Sequence, residues 1–200
     1  MPAVGITGGI ATGKSTFAKA LLRHLPGELF DADLTARDLL EHDAAVGEQV
    51  RAAFGEAVLL PDGSFDRGRL RSEIFADATK RHLLETILHP AIRRKWTAAA
   101  ARHATSASWF FVDLPLLFET AAESCFERVV VVACSPATQR ARLRDQRGVY
   151  DQLAEQMIGA QLDLEQKIVR ADHLIWNDST TECLEGQTAL FAGWLRQRHG

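Results

Sequence analysis

The sequence predicts an α/β fold: a three-layer arrangement with a parallel sheet flanked by helices. Three observations carry this expectation. Short apolar segments alternate along the chain with longer segments of helical periodicity. The run Val129 to Ala133 is β-branched and apolar on both faces, as a strand covered by helices on both sides must be. A glycine-rich stretch joins the first apolar segment directly to an amphipathic one.

Taken in order, Val4 to Thr7 reads as a short buried strand, and Ser15 to Leu25 as a helix with Phe17, Ala18, Leu21 and Leu22 at helical spacing. Pro26-Gly27 ends that helix. Glu28 to Asp31 is a second strand, and Leu34 to His42 a helix with Leu39 and Leu40 inward. Residues 44–103 are mostly helical by pattern, rich in Arg, Glu and Ala, with a turn at Pro61-Asp62-Gly63-Ser64. They separate strands by more than a crossover needs, and so read as a helical insertion beside the sheet, not a separate domain. Ser108 to Leu114 and Val129 to Ala133 are strands. Helices follow at Pro136 to Asp145, where proline suits a first turn, at Leu153 to Gln161 and at Leu164 to Ala171. His173 to Trp176 is a last strand and Thr181 to Arg198 a closing helix.

Composition narrows the function. A net charge of -3 argues against a general nucleic-acid binder, which carries a basic excess. No apolar run approaches the roughly 20 residues of a membrane span, because Asp113 interrupts Trp109 to Phe118. Lys14 is the first charged side chain, so no basic segment opens a signal peptide. Cys125, Cys134 and Cys183 form no C-x-x-C pair, which suits reduced, buried thiols in a cytoplasmic protein. The histidines show no zinc spacing, so no transition-metal site is expected.

The chemistry is concentrated in Gly8-Gly9-Ile10-Ala11-Thr12-Gly13-Lys14-Ser15, a complete G-x-x-x-x-G-K-[ST] phosphate loop between a strand and a helix. Glycines let the backbone curl so that successive N–H groups point at phosphate oxygens. The helix N-terminus adds partial positive charge. Lys14 supplies a full charge for the β- and γ-phosphates, and Ser15 a hydroxyl for Mg²⁺. The expected ligands are therefore ATP and Mg²⁺. No N-K-x-D or suitably placed D-x-x-G marks a GTPase, and no strand ends in Asp-Glu as in a motor ATPase. The short chain and its helical insertion favour a small-molecule kinase.

Further segments make the expectation more specific. They are Thr7-Gly8-Gly9-Ile10, Gly13-Lys14-Ser15-Thr16, Asp31-Ala32-Asp33, Asp62-Gly63 with Asp66-Arg67 and Leu70, and Ile87-Leu88-His89-Pro90-Ala91-Ile92. Beyond these come Pro115-Leu116-Leu117-Phe118-Glu119, Val129 to Val132, Gln139 with Arg142, Ala160-Gln161, and Ala171-Asp172 with Asn177. In order and spacing they resemble the dephospho-coenzyme A kinase family over nearly the whole chain. The resemblance implies transfer of the ATP γ-phosphoryl group to the ribose 3′-hydroxyl of dephospho-coenzyme A. It implies one domain with a nucleotide-binding core (1–43, 104–139 and 172–200), a helical substrate region (44–103) and a mobile lid (140–171). The remaining readings are a kinase for a nucleoside monophosphate or another small alcohol, and a non-catalytic ATP-sensing module.

The resemblance assigns the phosphate grip to Gly8, Gly9, Ala11, Thr12, Gly13, Lys14, Ser15 and Thr16, and the catalytic aspartate to Asp33. An aspartate there also suits an N-cap for a helix beginning near Leu34. Asp31, two residues earlier on an extended strand, points to the same side and reads as a supporting carboxylate. Asp31, His89, Leu116 and Glu119 are candidate substrate contacts; for His89 the sequence alone favours a buried histidine at a proline-bent helix. Arg140, Arg144 and Arg147 share one helix face, and Arg142 faces elsewhere. Register favours Arg142 as the catalytic lid arginine; the family's second arginine, four residues on, is Gln146 here, flanked by Arg144 and Arg147, so which of the four arginines meets the phosphates stays open. Ala11-Thr12 replaces the family's Gly-Ser, which is harmless if Ala11 has a negative φ.

Overall fold

A computed structural model describes residues 3–104 and 108–199. The parts of the expected core at 1–2, 105–107 and 200 lie outside the described residues. The chain divides into two compact units, 1–31 with 99–200, and 32–98.

The first unit holds the sheet: β1 (Ala3–Gly8), β2 (Gly27–Asp31), β3 (Trp109–Asp113), β4 (Arg128–Ala133) and β5 (His173–Trp176). All the strand pairs are parallel, in the order β2-β3-β1-β4-β5. The fold is thus a three-layer α/β fold of the P-loop kinase class. Strands β1, β3 and β4 are buried almost throughout, which is why they read as continuous apolar runs. Helix α1 (Lys14–His24) and the closing helix α9 (Thr181–His199) share a core with the sheet. In that core Phe17, Leu21, Phe111, Val130, Val132, Ile175, Phe191 and Leu195 are all but inaccessible. Phe17 and Phe191 meet with ring centroids 5.9 Å apart.

Between β4 and β5 lie α6 (Pro136–Arg147), α7 (Asp151–Gly159) and α8 (Leu164–Val169). Ser135 caps α6 by accepting from the Thr138 amide, Pro136 fills the first turn, and Gly148 ends the helix in the left-handed region. The Ala171-Asp172 motif is structural: Asp172 Oδ2 accepts from the Val129 amide at 2.8 Å, and the Asp172 amide donates to the Val129 carbonyl at 3.0 Å. The strand β4 is pinned to β5 from its first residues. At the open edge of β5, the Gln187 carboxamide both donates to the Trp176 carbonyl (2.8 Å) and accepts from its amide (2.9 Å). A free strand edge is covered in this way.

The second unit comprises α2 (Ala32–His42), α3 (Ala44–Phe54), α4 (Arg67–Ala76) and most of α5 (Ala78–His103). Asp43 and Asp66 cap α3 and α4. The Pro61-Asp62-Gly63-Ser64 turn forms as expected. Asp62 Oδ1 accepts from the Ser64 amide and hydroxyl, and Gly63 takes φ +82°. In α5, Leu84, Leu88, Ala91, Ile92 and Trp96 recur at helical spacing and are buried.

One helix boundary corrects the sequence reading. Helix α2 begins at Ala32, not Leu34, so Asp33 is its second residue and cannot be its N-cap. The aspartate suits the first turn because its charge complements the helix dipole. The expected strand-like pairing of Asp31 with Asp33 on one side is lost with it, because β2 ends at Asp31.

Candidate active site

The sheet order places β1 at the centre, with β3 on one side and β4 on the other. The crevice beyond the carboxyl end of such a strand is where α/β sheets bind ligands. The Gly8–Ser15 loop leaves β1 at this point and runs into the first turn of α1.

Every carbonyl from Gly8 to Gly13 has a named donor. The Lys14 ammonium donates to Gly9 (2.9 Å) and Gly8 (3.4 Å), and the Thr12 hydroxyl to Gly9 (2.9 Å). Gln139 Nε2 donates to Ile10 at 2.8 Å. The Arg142 guanidinium spans Ala11 (3.4 Å), Thr12 (3.2 Å) and Asn177 (2.8 Å). Asn177 Nδ2 donates to Thr12 at 2.8 Å, and the Phe17 amide to Gly13 at 3.0 Å. Gln139 and Asn177 are 4% and 6% exposed, so both carboxamides are committed to this clamp. A loop whose carbonyls are engaged in this way keeps its N–H groups for an anion.

The clamp explains the glycines. Gly13 has φ +95°, and a Cβ there would stand 2.2 Å from Asn177 Nδ2. Gly8 has φ +148°, and its Cβ would stand 2.0 Å from the Val132 carbonyl oxygen. Ala11 is a correction: its φ is +58°, not negative. The loop's curl requires the left-handed conformation at that position, which costs an L-residue about 1–2 kcal/mol. Ala11→Gly removes that cost but adds unfolded-state freedom worth about 0.4–1 kcal/mol. The net expectation is a stability gain of up to about 1 kcal/mol, with turnover unchanged because the clamp bonds only the carbonyl. A thermal melt checks it, and a lower midpoint for Ala11→Gly would contradict the assignment.

The four arginines of α6 now separate. Arg140 pairs with Glu155 of α7, and Arg144 with its neighbour Asp145, both at the surface. Arg147 is exposed at the last position of the helix. Arg142 alone reaches the phosphate loop. Gln139 and Gln146 flank it at helical spacing on the same stripe. Arg142→Ala is therefore expected to lower turnover more than Arg140→Ala, by about tenfold or more, since loss of loop geometry is felt directly in transfer. Steady-state kinetics on the four single alanine variants settle the order. A larger loss at Arg144 or Arg147 would overturn it.

The other expected residues are placed as follows. Ser15 and Thr16 are exposed in the first turn of α1. Asp31, half-buried at the end of β2, stands in register with Asp113, which is 5% exposed at the end of β3. Asp33 is exposed in the first turn of α2. His89 is half-buried, not buried, within α5 immediately before Pro90. Leu116 is half-buried in the turn after β3. Glu119, in the same turn, accepts from the Leu162 amide (2.8 Å) and pairs with Lys167 (2.8 Å). Three residues of this region escaped the sequence reading as site residues. In the sequence Asp113 reads as a break in an apolar run and as a strand-ending aspartate that no Gly or Glu follows, Asn177 as part of a motif, and Lys167 carries no signal. At the end of β4, burial pushes the Cys134 thiol up to about 11, which keeps it protonated and unreactive.

Comparison with known proteins bears on this geometry. A sequence profile described as dephospho-CoA kinase matches residues 2–182. The dephospho-CoA kinase of Anaeromyxobacter dehalogenans is 39% identical over 201 residues, covering 100% of this chain and 95% of that protein. A Thermus thermophilus crystal structure, TT1252, superposes with a TM-score of 0.76 at 30% identity over 96% of this chain and 97% of its own. The dephospho-CoA kinase of Campylobacter jejuni superposes with a TM-score of 0.71 at 25% identity, covering 99% and 98%. The order and spacing of the motifs, the parallel sheet that carries the phosphate loop and these matches along the whole length agree: the chain belongs to the dephospho-CoA kinase family.

Proposed function

We propose a division of labour for the reaction of this family, in which the γ-phosphoryl group of ATP passes to the ribose 3′-hydroxyl of dephospho-CoA and leaves CoA and ADP. The observation that carries the reading is the carbonyl clamp on Gly8 to Gly13, which turns the loop into an anion cradle. In this reading the loop amides of Gly9, Ala11, Thr12 and Gly13 and the Thr16 end of the first turn hold the ATP phosphates. Lys14 transfers its ammonium from the Gly8 and Gly9 carbonyls to the β- and γ-phosphates. Asp33 accepts a hydrogen bond from the attacking hydroxyl and takes its proton. Asp31, His89 and Leu116 serve the acceptor side together with the turn that carries Glu119, and residues 44–103 form the acceptor region. Residues 140–171 supply the lid, which excludes water and so limits wasteful hydrolysis.

The residues present fit Mg²⁺. Ser15 offers a hydroxyl, and Asp31 and Asp113 offer carboxylates on adjacent strands. Among the described residues no group of three or more His, Cys, Asp or Glu forms a ligand cluster. A cation that keeps several waters and leans on substrate phosphates needs no such cluster. Ser15, with Asp31 and Asp113, would hold Mg²⁺ beside the ATP phosphates, where the cation would supply neutralisation of charge that develops in transfer. A cytoplasmic location belongs to the same reading. It is supported by the three reduced thiols, of which Cys134 is buried as expected and Cys125 and Cys183 are instead exposed, and by the lack, among the described residues, of a helix long and apolar enough to cross a membrane.

The test is direct. Purified protein is incubated with ATP, Mg²⁺ and dephospho-CoA, and in parallel with nucleoside monophosphates. Stoichiometric ADP and CoA from the first mixture are expected. Faster transfer to a nucleoside monophosphate, or ATP binding with no transfer to either, would overturn the reading.

A further inference from the structure

Lys167 sits on α8 with a side chain that is 0% exposed. Its ammonium donates to the Pro115 carbonyl at 2.8 Å and pairs with Glu119 Oε1 at 2.8 Å. Each partner holds a second element. Glu119 Oε1 also accepts from the Leu162 amide at 2.8 Å, at the entry to α8. The Pro115 carbonyl also accepts from the Thr7 hydroxyl at 3.2 Å, and Thr7 is the residue before the phosphate loop. Arg170 reinforces the same junction, lying 4.4 Å over the Phe118 ring and pairing with Glu123. One buried cation thus gathers the end of β1, the turn after β3 and the foot of α8.

A buried ion pair is a poor source of net stability, because desolvation of the two charges offsets their attraction and apolar isosteres often do as well. Burial indeed lowers the Lys167 pKa; the bond to Glu119 opposes the shift, and the Lys14 ammonium adds to it. The site therefore lies within electrostatic reach of the phosphate grip, yet it makes no bond to the carbonyls of Gly8 to Gly13. What the pair supplies is geometry. The turn Leu114 to Thr120 forms neither helix nor strand; it is held by the Leu114 amide on the Ile6 carbonyl, by the buried Leu117 and Phe118, and by the contacts of Lys167.

We infer that Lys167 is a positioning residue for phosphoryl transfer: it acts through Glu119 and the Pro115 carbonyl to set the turn after β3, on the acceptor side of the site. The inference rests on the proposed function for which substrate that turn serves. It also gives Glu119 a part besides that of a substrate contact, since its Oε1 is shared by the Lys167 ammonium and the Leu162 amide.

The experiment compares Lys167→Met, Lys167→Arg, Glu119→Gln and the double variant Lys167→Met/Glu119→Gln. Rates are normalised to folded enzyme by circular dichroism and ATP binding. Lys167→Met is expected to lower kcat by about 10- to 100-fold, the scale of a small misplacement near the reacting groups. KM for dephospho-CoA is expected to rise while ATP affinity stays within about twofold, a split that a general loss of stability does not produce. Lys167→Arg, which keeps the charge and two donors, restores most of the loss. The double variant is no worse than Lys167→Met, because both changes break one pair. Should Lys167→Met fail to fold, Glu119→Gln carries the test, since its side chain is 22% exposed and tolerates the change better. Wild-type turnover with unaltered constants in Glu119→Gln and Lys167→Met, or an arginine variant as impaired as the methionine one, overturns the inference. Wild-type protein inactive on dephospho-CoA overturns the functional reading and the inference with it.

Discussion

Lys14→Ala is expected to lower kcat by about 10²-fold or more, the scale for losing a charge contact that strengthens in the transition state. The fold is expected to survive. Lys14 is the first residue of α1, where alanine is a good helix former, and it contributes nothing to the core under Phe17 and Leu21. Its bonds run to the Gly8 and Gly9 carbonyls, and Gly9 keeps a second donor in the Thr12 hydroxyl. Losing these bonds costs on the order of one to two hydrogen bonds, about 1–2 kcal/mol. The measurement pairs a thermal melt with steady-state transfer to dephospho-CoA. Near-normal turnover by a folded Lys14→Ala protein would remove the ammonium from the mechanism.

Asp33→Asn tests the acceptor-side role proposed for Asp33. Asparagine is nearly isosteric, and the position is exposed on the first turn of α2. The change forfeits one favourable charge at a helix N-terminus, worth about 0.3–1 kcal/mol. Transfer is expected to fall much further, by about 10²–10⁴-fold, the usual range for removing a general base. ATP affinity should hold, because Lys14, Ser15 and the clamped loop carry it. Intact folding and ATP binding with badly reduced transfer is the pattern that separates a kinase from an ATP-sensing module. A variant that melts, while its folded fraction turns over normally, would make Asp33 structural and direct the search to Asp31.

Much of this protein was legible before any coordinates, and the reason is locality. The phosphate loop is a contiguous stretch between a strand and a helix, so residue types at fixed spacing are enough to recognise it. The buried strands β1, β3 and β4 declare themselves by unbroken apolar runs, and the caps at Asp43 and Asp66 by single polar residues before helical periodicity. Even the role of Asp172 left a trace, as a motif beside a strand, although its bond to Val129 spans 43 positions.

The missed features all depend on distance along the chain. Gln139 reaches Ile10 across 129 positions and Asn177 reaches Thr12 across 165, so the clamp that shapes the loop leaves no local pattern. Among the α6 arginines, spacing alone could sort faces but not say which face meets the loop. The family register favoured Arg142, and packing of the helix brings that residue to the loop. Lys167 lies on a helix of six residues, too short for a period to mark its inward side, and a lysine in sequence reads as a solvated charge until its partners are known. Ala11 shows the same limit in the backbone, since its residue type favours negative φ and only the closure of the loop holds it at +58°. The sequence by itself determined the fold class, the anion-binding loop and the family, because each rests on short-range chemistry repeated in order. Which polar side chains hold that loop, and which buried cation meets the turn beside it, came only from tertiary packing, because bonds that span 52 to 165 positions exist only once the sheet has brought their ends together.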